Sequence, residues 1–450
     1  MQSMDHENHG VDLIVVGAGL AGLFTAAIAA RSGRKVVVLE RSKQAGGRAA
    51  TQVDQGIHFN LGPHAIYGRG EAFGLLAELD VRISGSFPPG AGAMLTDRDR
   101  RYRLPRTFPS MIASRFLTFR DRFRLLRLFG GLTRIEADSL DRVSLDDWLK
   151  RVVGEGNANR LVRTLCRVAT YVDDSERLSA GAAIRQLQLA IAGNVLYLDG
   201  GWQSLVDGLR EGLASRGVEL RTDCRVRSLR DQGQFVSVEL VTGETMQGQV
   251  AVLAVDPRSV VELLELPHDS PLSAWNRRRI PVKAACLDVA LSRLPRPSCL
   301  VAFGLEPSLY YSVHSASARL APPPIAVLHV MKYLNSDAQN TPGEVEAELE
   351  QYLESLQPGW RDLVVQRRFL PGLTVTHGLP CAVDGGVSGR PGVDAAGTGR
   401  ILLAGDWVGP AGMLADACAA SARESARRVT AVLSEPRIPS LRSVAHATAR

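Results

Sequence analysis

Three glycines and one acid, set among apolar residues, make up the first group in this chain whose types and spacing could do chemistry. Gly17, Gly19 and Gly22 form a G-x-G-x-x-G turn directly after the apolar run 11–16 and at the start of a stretch of small residues. That setting, a strand running into a helix, is what gives the pattern meaning. The first glycine permits a tight turn, the second lets backbone approach a pyrophosphate, and the third lets the helix pack on the strand. The helix N-terminus then faces the phosphates. Leu20 and Ala21 lie within the same turn and join the candidate binding residues. Glu40 closes the second apolar strand at the offset of about 20 residues expected of an acid that holds a ribose hydroxyl. The stretch 11–40 therefore predicts a dinucleotide site.

The elements around this turn admit another interpretation, because residues 13–30 carry no charge over 18 positions, the length of a marginal membrane span or a secretory h-region. The flanks decide against it. MQSMDHENHG contains acids and neither Lys nor Arg, so no basic n-region precedes the apolar run, and the expectation is an uncleaved, cytoplasmic chain. With 450 residues, two domains are expected. The net charge of +6 is small for this length, so no nucleic-acid partner is expected. Six scattered cysteines, without C-x-x-C or a His-flanked pair, read as reduced thiols, and no metal site, Walker loop or G-x-S-x-G elbow is present.

The segment after Glu40 separates one dinucleotide from another. A nicotinamide domain would continue in strand and helix units, whereas this chain gives RSKQAGGRAATQVDQGIHFNLGPHAIYG, rich in glycine and poor in periodicity. Arg41 and then Gly46-Gly47-Arg48 resemble the second FAD-binding signature of flavin amine oxidases, phytoene desaturases and protoporphyrinogen oxidases. Three later segments resemble the same superfamily in the same order: LDGGWQSL at 198–205, the strand pair GVELRTDCRVRSL at 217–229 followed by AVLAVDP at 251–257, and RILLAGDWVGPAGMLADACAASARESARRV at 400–429. The phytoene-desaturase-like branch is the nearest pattern.

The resemblance implies an α/β fold, with a Rossmann-type, glutathione-reductase-like FAD-binding domain and a discontinuous α+β substrate-binding domain. It implies noncovalent FAD. In such families the arginine corresponding to Arg48 lies against the diphosphate, a role suited to guanidinium geometry. Val226 matches the position that contacts adenine through backbone. Gly405 and Asp406 match the ribityl or diphosphate region, and Gly412, Met413 and Leu414 open a helix aimed at the flavin pyrimidine, favouring its negative charge. Gly62, Pro63 and His64 fit the loop beside the isoalloxazine.

For chemistry, His64 and Tyr67 follow the 62–63 turn, where either could orient substrate or exchange a proton; a loop histidine bonded only to backbone is the plainer alternative. Lys283 matches a strand lysine that holds water near the flavin in many amine oxidases, and His377 precedes the closing motif where the chain returns toward the substrate cavity. Two departures from the family pattern stand out. Leu414 stands where amine oxidases place a cage aromatic, which disfavours an amine, and Asn60 replaces the acid often found before the glycine. No strong base is required, since hydride transfer needs chiefly orientation and electrostatics.

Residues 98–134 carry eleven arginines among Phe, Leu, Met and Ile. The preferred reading is a helix of the substrate domain with solvated arginines and a buried Leu/Phe face. A second reading lays it on anionic lipid at the inner face of the membrane, and a third has the arginines hold an anionic substrate. The FAD-binding domain is expected from 1–95, 196–280 and 395–435, the substrate domain from 96–195 and 281–394, and a disordered tail from 436–450. Residues 95–195 read as mainly helical, 280–330 as strand-rich and 343–356 as an amphipathic helix. The expected activity is removal of hydride from a hydrophobic, isoprenoid-like small molecule onto FAD, with oxygen or a quinone as acceptor. Peroxide-producing oxidation of an amine or amino acid, a redox-neutral flavin-dependent isomerisation, and a non-catalytic FAD scaffold are the alternatives.

Overall fold

A computed structural model describes residues 10–88, 92–335, 337 and 341–434. The tail from 436 lies outside the described residues. Two seven-stranded sheets organise the fold. The first has the order Glu219–Arg221, Val36–Leu39, Val11–Val16, Thr245–Leu253, Val236–Leu240, Val226–Asp231, and Ile401–Leu403 also pairs with Thr245–Leu253. Its central strands run parallel, with Leu13 opposite both Val36 and Val250. The Val, Ile and Leu runs of these strands suit such a sheet, because both of its faces are covered. Helix Leu20–Arg31 buries Ala21, Leu23, Phe24 and Ala26 beneath it. Against that helix lies Leu414–Ser434, whose Ala417, Ala419 and Ala422 are buried; small side chains on both helices let the backbones approach. Ser421 and Ser425 then bond Gly405 and the Leu403 carbonyl, fixing the helix to the end of its strand.

The second sheet runs Val364–Thr376, Val282–Leu291, Ala326–Leu334, Leu309–Val313, Val301–Glu306, Ala93–Asp97, Arg100–Arg103. It is antiparallel except where Ala93–Asp97 pairs with Val301–Glu306. Helix Pro342–Leu356 covers one face through Val345, Leu349 and Leu353. The helices Leu145–Val152, Asn157–Thr170 and Ala180–Gly193 form a further layer around Leu149, Val162 and Ile184. Ser179 caps the last of them, its hydroxyl accepting from the Ala182 N–H at 3.1 Å, as its residue type predicts.

The arginine-rich segment departs from the single helix expected. It begins as a hairpin, Ala93–Asp97 with Arg100–Arg103, continues as the short helix Phe108–Ile112 and ends as helix Phe119–Gly131. Pro105 lies between the hairpin and the first helix, where a helix interior cannot continue, and the capping boxes of Thr107 and Thr118 start the two helices separately. The expected Leu/Phe face also divides: Leu125 and Leu128 are buried, whereas Phe119 is 82% exposed and Phe123 64%.

Candidate active site

A cavity of about 820 Å³ runs from the first sheet to the second. At the first sheet its wall is the glycine turn. Gly17 has φ +102°, and a Cβ there would lie 2.7 Å from the Ala254 carbonyl oxygen. On Gly22 a Cβ would lie 1.9 Å from the Gly17 oxygen, so Gly22 is the contact that lets the helix cross the turn. Gly19 differs, because a Cβ there would meet nothing and would project into the cavity space that Gly19 lines. Leu20 and Ala21 line the wall beside it, and Arg41, Gly47 and Val226 extend it. Glu40 is buried and accepts N–H groups from Ala18 at 2.7 Å and Ser42 at 2.8 Å, one on each carboxylate oxygen. Its remaining lone pairs are available to a ligand hydroxyl.

Arg48, Asp406 and His377 meet midway. Both terminal nitrogens of Arg48 donate to Asp406, at 3.0 and 2.7 Å, and one also reaches the Val375 carbonyl. The His377 N–H and Nδ1 contact the same carboxylate, each at 2.9 Å. Burial alone would raise the Asp406 acid, but the Arg48 charge and the His377 bonds overcome it and hold the group well below the usual carboxylate range. Asp406 is thus fully engaged in orienting a cation and an imidazole that line the cavity. Arg48 retains 39% side-chain exposure, and as a cavity-lining residue it presents that part inward rather than to bulk solvent.

Toward the second sheet the lining becomes apolar, with Leu61, Ile66, Ala284, Met331, Leu373 and Val375. Tyr67 and Tyr171 contribute rings there while their hydroxyls donate to the main-chain carbonyls of Ala169 and Pro63. Burial pushes the Tyr67 hydroxyl up to about 12, so Tyr67 presents a ring rather than a proton. His64 packs edge-on against Trp202, bonds the Gly62 carbonyl through Nδ1 at 3.0 Å, and is shifted by burial below its ordinary value. It is a neutral imidazole held by backbone, the plainer of the two expectations. Pro63 lines the cavity. Gly62, at φ +81°, makes the turn behind it, where a Cβ would lie 3.0 Å from Leu373.

Lys283 is not in this wall. Strand Val282–Leu291 buries Ala284 toward the cavity; successive strand residues face opposite ways, so Lys283 turns to the other face, where it is exposed at the start of the strand. Gly412 and Met413 line a separate, smaller cavity, while Leu414 and Gly405 line the large one. Asn60 does not face the cavity. Its buried Oδ1 accepts from the Thr51 hydroxyl and the Trp202 N–H, positioning that indole.

A buried group beneath the loop has metal-ligand composition: Cys286, Asp288 and His329 place donor atoms within 4.8 Å of one another. Arg368, however, donates to Asp288 and to the Asn60 carbonyl, and His329 Nδ1 lies 2.6 Å from the same acid. The acid is answered within the protein, and the cluster braces the strand leading into 61–64.

Residues 20–282, more than half of the chain, match the family described as flavin containing amine oxidoreductase. The chain belongs to that family. Its cofactor is FAD. Among curated relatives, the 15-cis-phytoene desaturase of Solanum lycopersicum is 25% identical over 58% of this chain and 48% of its own length. A Mycobacterium tuberculosis protein named as a flavin-containing monoamine oxidase is 27% identical over 58% of this chain and 62% of its own. The chain thus spans about half to three-fifths of the curated relatives it matches. A crystal structure of an oxidoreductase from Methanosarcina mazei shares the fold, with a TM-score of 0.73 at 16% identity over 92% of this chain and 99% of that one.

The residues fit FAD. The open side of Gly19, the free lone pairs of Glu40 and the buried Trp202 Nε1, which has no protein partner and belongs to a residue lining the same cavity, are complementary to a long polar ligand. Trp202, Tyr171 and the apolar strand residues Met331 and Leu373 join the candidate site only in the folded chain. Trp202 sits in the recognised G-G-W segment and was legible as a segment, whereas Tyr171 is delivered by a left-handed helix cap at φ +62° that carries no sequence signature.

Proposed function

We propose that this chain is an FAD-dependent oxidoreductase that removes hydride from a hydrophobic, isoprenoid-like small molecule, with oxygen or a quinone as the final acceptor. One observation carries the reading: the cavity end toward the second sheet is lined by Leu61, Ile66, Ala284, Met331 and Leu373, with two tyrosines whose hydroxyls are already committed. Such a wall binds apolar surface and offers a substrate little to hydrogen-bond. When bound, FAD supplies the hydride acceptor. Gly17, Gly19, Leu20, Ala21, Glu40, Arg41, Gly47, Val226 and Gly405 would hold it, and Arg48 would meet its diphosphate while fixed by Asp406.

His377 would orient the reacting region through the Asp406 pair, and His64 would form part of the neutral wall beside it. A mass spectrum of products formed from apolar polyenes tests the reading, which requires a product lacking one hydrogen pair. Product formation only from amines would replace it with amine oxidation, a second reading favoured by the Tyr67 and Tyr171 rings at the same end.

Access for such a substrate would come through a membrane surface. The exposed Phe108, Ile112, Phe119 and Phe123 stand among exposed Arg115, Arg120 and Arg127, an arrangement that suits partition into an anionic lipid interface. Among the described residues no helix is long and apolar enough to cross a membrane.

A further inference from the structure

A second cavity, of about 220 Å³, adjoins the first, and Asp416 lines both. Exposed Arg69 and Glu71 and half-buried Arg185 stand at its outer side, and Gln186, Met413 and Asp416 lie inward. Two polar atoms of this wall are buried without a partner in the protein: Asp416 Oδ2 and Gln186 Nε2. Each of these side chains is 3% exposed. The amide can only donate at that nitrogen, while the carboxyl oxygen accepts when ionised and donates when protonated. The other Asp416 oxygen is fixed, accepting the Ala72 N–H at 2.9 Å. Gly70 makes room for it, since a Cβ there would lie 2.4 Å from Oδ1. The Gln186 amide also approaches the Tyr67 oxygen, which lines the main cavity, without completing a hydrogen bond to it.

Buried polar groups facing a polar space are ordinarily joined by water, and one water takes about 30 Å³. The second cavity has room for several. We infer that it is a water-bearing side channel, that Gln186 and Asp416 hold its innermost water, and that Asp416 passes protons between that water and the cofactor cavity. The inference rests on the oxidation proposed above. Removing a hydrogen pair from a substrate sends one hydrogen to FAD as hydride and releases the other as a proton, with its bonding electrons left to form the new double bond. The Asp416 carboxylate takes that proton at Oδ2, and the acid then yields it to channel water, which carries it out past Glu71.

The surroundings suit such exchange. Burial, with the nearby Glu71 charge, pushes the Asp416 acid up to about 6 against the opposing Ala72 N–H. Facing it are Arg69 and Glu71 from the segment before and into helix Glu71–Glu78, Arg185 and neutral Gln186 from helix Ala180–Gly193, Tyr67 from its strand and Cys418 on its own helix. Arg185 is committed to Asp138 and Asp141, and Arg423 to Glu71 and Glu78. Arg69 lines the same cavity, and no salt bridge to Asp416 forms among the described residues.

Infrared difference spectra of the full chain as purified, titrated across neutral pH in H2O and D2O, read the carbonyl stretch of a buried protonated carboxyl without requiring turnover. The expected result is a deuterium-sensitive band that titrates near 6, is lost in Asp416→Asn, and moves to higher pH in Gln186→Leu, which removes the water's donor partner. A band that survives Asp416→Asn, or one indifferent to Gln186→Leu, overturns the inference. Should Asp416→Asn fail to fold, Gln186→Leu decides alone. If the band behaves as expected while no substrate bleaches the flavin, the oxidation reading fails and the channel stands.

Discussion

Arg48 and Asp406, 358 positions apart in the chain, form a two-pronged ion pair with bonds of 3.0 and 2.7 Å. The pair joins the segment after the glycine turn to the closing strand and helix, and it holds His377 in the same knot. Replacing Asp406 with Ala leaves a guanidinium without its partner. Breaking a buried pair from one side costs about 3–5 kcal/mol, and because Arg48 is open to the cavity, roughly 2–3 kcal/mol is expected here. Denaturant unfolding measures the loss, and FAD affinity should fall with it. An unchanged unfolding midpoint would show that the pair contributes nothing to the fold.

The glycines of the turn should separate folding from cofactor binding. Gly22→Ala places a methyl 1.9 Å from the Gly17 oxygen and is expected to cost stability severely, as overpacking against fixed backbone does. Gly19→Ala meets no protein atom within 4 Å, so its melting temperature should stay near that of the wild type while flavin content after purification falls. Equal behaviour of the two variants would contradict this division.

Lys283 and His377 make a second contrast. Lys283→Ala alters an exposed strand position and should leave stability within about 0.5 kcal/mol, with the flavin spectrum and kcat unchanged. His377→Ala removes an Asp406 partner beside the cavity and should lower kcat at least several-fold. Loss of activity on Lys283→Ala would restore that lysine to the site.

Asp416 should leave a mark on stability as a function of pH. Its folded acid, near 6, binds a proton more tightly than the unfolded group at 3.8. Stability linked to it is therefore fully present below the unfolded value and is lost as pH rises through the folded one. Asp416→Asn does not ionise, so relative to the wild type it should gain stability between about pH 4 and about pH 7, by up to roughly 3 kcal/mol at about 1.4 kcal/mol per pH unit. Chemical denaturation at both values measures the gain, and a pH-independent difference would contradict it.

The exposed phenylalanines should govern lipid binding. Phe119→Ser with Phe123→Ser removes apolar surface that supports no core, so melting should be unchanged while co-sedimentation with vesicles of anionic lipid declines sharply. Binding that persists in the double variant would remove the membrane from the account.

How much of this was legible beforehand depends on the kind of information each feature carries. The glycine turn, Glu40 and the closing motif were readable because their chemistry is local: a turn, a strand and a helix start within a few residues of one another. Lys283 was misplaced for the opposite reason. Its segment was recognisably a strand, but which face of the sheet an alternate residue takes depends on pairing with Val364–Thr376 and Ala326–Leu334, and one step of phase moves a side chain from cavity to solvent. Phe119 and Phe123 read as core residues beside the leucines, yet helical periodicity cannot say which apolar residues a neighbouring element covers, and these two stay exposed. Asp416 beside Gln186 was invisible, since nothing local links the two segments.

The central claim is that FAD occupies the large cavity and receives hydride from an apolar molecule at the second-sheet end. The most direct measurement is the visible spectrum of the FAD-loaded protein under anaerobic conditions as an apolar lipid extract, and then a panel of amines, is added. The account predicts flavin absorbance near about 450 nm that bleaches with the lipid fraction and recovers when oxygen or a quinone is admitted. No flavin after incubation with FAD, or bleaching by amines alone, would contradict it.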